Sequence, residues 1–226
     1  MRTPEGDPAP SWDDVTLAGL LTWERLASYL AQSGADLRAA LHLYEWNTQA
    51  CAAVIQTVAL AEVVVRNALD QKLVAWASGR SNGRSWLDIA PLDQKARANI
   101  ADARRRATRG GRDVEVHGKV VAELTFGFWR YLTTSRYLVS LWVPALHRSF
   151  PQGDVDVRVR RAQVEQAMDR IGFVRNRAAH HEPIHRRDLA RDFAAAVALC
   201  EWVHPEAGTW ARAVSILPAV IEARPR

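Results

Sequence analysis

Lysine is almost missing from this chain: Lys72, Lys95 and Lys119 are the only three, against 27 arginines. With 25 acidic residues the formal net charge is +5, which points to an anionic partner. Guanidinium forks bind phosphate bidentately, so a polyphosphate or nucleic acid fits. A coding bias toward arginine produces the same composition. Cysteine is also scarce: Cys51 and Cys200 lie far apart in helical apolar patterns, which argues against a disulfide-stapled secreted scaffold and for a reducing, cytoplasmic setting. Glycine (12) and proline (10) are too few for collagen-like or low-complexity sequence. No apolar run reaches the roughly 18 to 20 uninterrupted residues of a membrane span. The longest, 50–65, is broken by Gln56, Thr57 and Glu62. Residues 1–11 hold three prolines and no apolar centre, which excludes a secretory leader and predicts a disordered tail.

Runs of alternating β-branched residues are absent too, and from Leu20 onward apolar residues recur every three or four positions. The reading is all-α, one domain over 12–226. Thr22 caps a first helix over 22–32, ended by Gly34, and Asp36 caps a long one. Leu43, Trp46, Ala50, Val54, Val58, Ala61, Val65, Ala68, Leu69 and Trp76 trace its stripe until 78–84 breaks it. An exposed helix over 92–108 ends at Gly110 and Gly111. A Phe/Trp cluster follows in 119–133, then a stripe over 136–150 that Pro144 can kink. An arginine-rich helix runs toward His181, a further helix carries Leu189 to Val203, and two short ones close the chain. The nine tryptophans read as core; Trp86, in a loop beside arginines, is the exception and a candidate for base stacking.

The chemistry-bearing stretch is 175–185, RNRAAHHEPIH. At about 100° per residue, Val164, Ala167, Met168, Ile171, Val174 and Ala178 share one stripe, and Arg175 falls inside it. A charge there either pairs with an acid from another helix, Glu62 being one mate, or faces a partner or an anion-holding cleft. Pro183 ends the helix near His181 or Glu182, so His180 and His181 sit at its C-terminus. A histidine there either caps the last carbonyls or serves as a proton carrier at neutral pH.

Residues 181–185 spell HEPIH, the H-E-x-x-H pattern of zinc peptidases, with Glu201 as a conceivable third ligand. Pro183 breaks the continuous helix that such a site needs, so no metal is expected. The alternative chemistry is RNA cleavage without metal. A histidine takes the 2′-OH proton, the oxygen attacks the adjacent phosphate, and an arginine stabilises the added charge. Asn176 and His180 stand at i and i+4, so the amide can hold the imidazole or a phosphate oxygen.

The segment 175–180, RNRAAH, fits the arginine, polar residue, spacer and histidine signature of HEPN domains. Together with LYEWN (43–47), EVVVRNAL (62–69) and GKVVAELTFGFW (118–129), in that order, the chain resembles the Abi-like family of abortive-infection proteins over roughly residues 22 to 225. The resemblance implies a HEPN-type helical bundle with additional peripheral helices, and Arg175 and His180 as catalytic residues with Asn176 between them. It further implies two motif copies paired across a homodimer and a role as toxin or phage-defence effector, for which an antitoxin or regulatory RNA is a candidate partner. Glu62, Arg66 and Asn67 would then orient the catalytic pair, with His181 in support. The plainer reading of Glu62, Arg66 and Asp70 is a salt-bridge ladder at i, i+4, i+8. One geometric difficulty stands: five residues separate Arg175 from His180, about 140° around a regular helix. A distorted helix end, the reach of arginine, a site composed from two subunits, or use of His181 would each resolve it. The second functional reading is a non-catalytic RNA-binding module that contacts RNA through Arg104, Arg105, Arg106 and Arg109 and through Arg158, Arg160 and Arg161. Both basic clusters equally suit solvated helix faces.

Overall fold

Helix caps set the order of the chain. The computed structural model describes residues 12–81 and 83–225, so the tail expected over 1–11 lies outside the described residues. Among the described residues there is no strand, and the all-α reading holds. Asp13 accepts from the backbone of Thr16 and starts α1 (Asp14–Leu21), a helix the periodicity did not announce. Thr22 caps α2 (Trp23–Gln32), and Asp36 caps α3 (Leu37–Ser78), whose 42 residues extend about 63 Å. An 18-residue window of α3 has a mean hydropathy of 1.6, enough by length and composition to cross a membrane, and 44% of that window is buried in the bundle.

Then come α4 (Trp86–Ile89), α5 (Gln94–Ala107), α6 (His117–Glu123) and α7 (Phe126–Leu132). Residues 135–149 form no continuous helix: two 3₁₀ turns flank a wide turn over Leu138–Trp142. Pro144 lacks the amide that would carry an α-helix on, so the stripe read there is built from short turns. The chain ends with α8 (Val157–Ala179), α9 (Leu189–Val203), α10 (Pro205–Val214) and α11 (Leu217–Glu222).

The long helix α3 is the axle: α2, α8, α9 and α11 all pack on it. One contiguous set of buried side chains runs from Ala18 to Leu217. Trp46, Trp86, Trp129 and Trp142 are inside, whereas Trp12, Trp23 and Trp210 are exposed. Trp86 is therefore not a stacking platform. It starts α4, is fully buried against Phe128 and Trp129, and donates its indole N–H to Asp70 at 2.7 Å.

Candidate functional site

The motif helix α8 ends at Ala179, two to three residues short of the boundary that Pro183 alone suggests. The amide of His181 bonds the carbonyl of Ala178, and that of Glu182 bonds the carbonyl of Arg177 at 2.9 Å. These two bonds form a Schellman turn with His181 in the left-handed position at φ 55°. The carbonyl of His181 accepts from Arg25 at 2.6 Å. Beyond the turn the chain is pinned down: the Ile184 amide donates to the buried Asn47 at 2.8 Å, and Arg187 pairs with Asp192. His185 is 1% exposed and packs on Tyr29 at 4.6 Å between ring centroids. Burial, with Arg186 and Arg224 nearby, holds its pKa below the usual histidine value and keeps the ring neutral. His181 is exposed and Glu201 pairs with Arg212, so the three residues of the HEPIH reading do not converge. Among the described residues no three His, Cys, Asp or Glu side chains stand close enough to hold a metal.

The stripe of α8 is buried as its spacing predicts, with one correction. Val164, Ala167, Met168, Ile171, Val174 and Ala178 lie in the core, but Arg175 is exposed. The reason is local: the wall opposite this part of α8 opens into a cleft of about 970 Å³ between α3, α5, the α6–α7 segment and α8. Gly172 shapes it, since a Cβ there would stand 3.2 Å from the Phe126 ring. Six charged side chains line the cleft: Glu62, Arg106, Glu123, Arg130, Asp169 and Arg175. Arg106 pairs with Glu123 at 2.9 Å, and Arg130 pairs with Asp169. Glu62 and Arg175 form no salt bridge among the described residues, and Arg175 only donates to Asn176 at 3.3 Å. Burial raises the pKa of Glu62, opposed by the nearby positive charges of Arg175 and Arg66.

The structure thus brings together Glu62, Arg175 and Asn176, with Arg66 close by. His180 and His181 are exposed at the helix end and do not line the cleft. Arg66 donates to Asn67 at 3.4 Å, and Asp70 turns instead to Trp86 and to His117 at 2.9 Å. The Glu62–Arg66–Asp70 ladder is accordingly not formed.

The two basic clusters are largely engaged. Arg104 bridges Asp88 and Glu115, Arg105 pairs with Asp102, Arg106 with Glu123 and Arg109 with Asp113. Arg160 donates to the carbonyls of Asp154 and His147, while Arg161, its side chain 13% exposed, holds Thr133 and Glu165. Arg158 alone of these makes no side-chain bond among the described residues. Sequence reasoning missed Phe173, Arg130 and Asp169 as parts of the site. Their signal was spatial: only the packing of α7 on α8 sets them around one opening. No protein-family model, curated protein or solved structure matches this chain.

Proposed function

We propose that the protein is a metal-independent HEPN-type endoribonuclease of the Abi-like kind, a toxin or phage-defence effector. The observation that carries this reading is the Arg175–Asn176 pair, which faces an open cleft with its guanidinium committed to no carboxylate. Such a guanidinium is preorganised for a phosphate whose negative charge grows during reaction. In this reading the imidazole of His180 takes the 2′-OH proton, O2′ bonds phosphorus, and the P–O5′ bond breaks. The imidazolium so formed returns that proton to the departing 5′-oxygen. The products are a 2′,3′-cyclic phosphate and a 5′-OH end.

Because His180 stands outside the cleft of its own chain, the site is completed by a second copy, whose motif helix end meets the first. The engaged arginines of α5 and α8 remove most of the contacts on which a purely RNA-holding role would rely.

The test is incubation of purified wild type, Arg175→Ala and His180→Ala with total cellular RNA in EDTA, followed by end-group analysis. Wild type leaves cyclic phosphates, and each variant cuts about 100-fold more slowly or worse. Intact RNA with wild type, or equal cutting by all three, overturns the proposal.

A further inference from the structure

The cleft has a second uncommitted charge that phosphate chemistry does not use. Of its six charged side chains, four neutralise one another across the two walls, leaving Glu62 and Arg175. Glu62 is half-buried, makes no hydrogen bond among the described residues, and sits near Arg175 without touching it. A half-buried carboxylate that accepts from no protein donor keeps both oxygens available to the donors of a ligand. Phe173 also lines the opening, 54% exposed, with the guanidiniums of Arg187 and Arg177 4.8 and 5.8 Å from its ring centroid. The cleft therefore offers an aromatic surface, a fork of donors and a fork of acceptors within about 970 Å³, room for more than one nucleotide.

The four bases differ in what they show a carboxylate. Guanine alone presents two adjacent donors, N1–H and the 2-amino group, which match the two oxygens of one carboxylate. Adenine and cytosine each pair one amino donor with a ring nitrogen whose lone pair repels the second oxygen. Uracil sets its single N3–H between two carbonyls. We propose that this cleft is a guanine-reading pocket in which Glu62 accepts from N1–H and the 2-amino group while Arg175 holds the adjoining phosphate. The inference rests on the cleft being the RNA site, and it names the base that the site selects. Phe173 adds stacking, which every base supplies and which therefore contributes affinity without choice.

The experiment is equilibrium binding of the 3′-monophosphates of guanosine, inosine, adenosine, cytidine and uridine to the full chain, with no cleavage required. Guanosine 3′-monophosphate binds about tenfold or more tightly than the adenosine, cytidine and uridine compounds. The inosine compound, which lacks the 2-amino group, falls between. Glu62→Gln brings the guanosine compound level with adenosine while its melting curve shows a folded protein. Phe173→Leu weakens all five alike. The inosine comparison needs no variant, so a misfolded mutant leaves the test intact. Equal binding of all five, no binding of the guanosine compound, or a guanine preference that survives in Glu62→Gln overturns the inference. RNA cleavage without guanine preference defeats this inference alone, whereas guanine-selective binding by a protein that leaves RNA whole defeats the nuclease reading and spares it.

Discussion

His181 stands at φ 55° in the turn that closes the motif helix. For any residue with a Cβ this conformation costs about 1 kcal/mol relative to glycine, which is why glycine is the usual occupant of the position. A histidine there is either tolerated or used, and one substitution separates the two. His181→Gly raises stability by about 1 kcal/mol in urea denaturation. It leaves RNA cleavage intact, because the motif spacing assigns the imidazole to His180. Loss of cleavage in His181→Gly, with His180→Ala still active, would move the proton-transfer role to His181. Arg175 was legible at this scale as a charge inside an apolar stripe, and the cleft explains it. The exposure of His180 was not legible, since it follows from where the helix stops, and the Schellman bonds stop it earlier than Pro183 requires.

Among the elements, α8 and α9 are joined by a charge cluster on Asp192, which is 2% exposed and accepts from both Arg170 and Arg187. Arg187 belongs to the segment after the motif, so the same carboxylate fixes two helices and the return of the chain beneath them. Removing it leaves two guanidiniums facing each other with no counter-charge. Asp192→Asn therefore costs about 2 to 4 kcal/mol, read as a lower urea midpoint, a larger loss than exposed pairs such as Arg105–Asp102 would give. Helix ends were the most readable feature of the sequence: Thr22, Asp36 and Gly110 each mark a boundary by local chemistry. The helix α1 escaped notice because the apolar residues of DVTLAGLL are spread around the helix and show no stripe. The wall of the cleft escaped as well. TFGFW stands in the segment 118–129 that the sequence singles out, but only the packing of Phe126 against Gly172 places it beside the motif.

For the molecule as a whole, the separation of Arg175 from His180 has a consequence that mixing tests. If each site takes its arginine from one chain and its histidine from the other, an Arg175→Ala chain paired with a His180→Ala chain retains one complete site. Co-expressed and purified as a heterodimer, the two inactive variants recover up to half of the wild-type cleavage rate. A site contained in a single chain recovers nothing.

Twelve of the 27 arginines are held in salt bridges with aspartate or glutamate among the described residues. The sequence pI of about 9.7 therefore overstates the charge available to a polyanion. Under the proposed function, the twelve arginines neutralised from within displace no counterions on meeting RNA, so the grip weakens less steeply with ionic strength than the composition suggests. In that reading the preference among RNAs is set by fit within the cleft, which a crowded, salty cell does little to blunt.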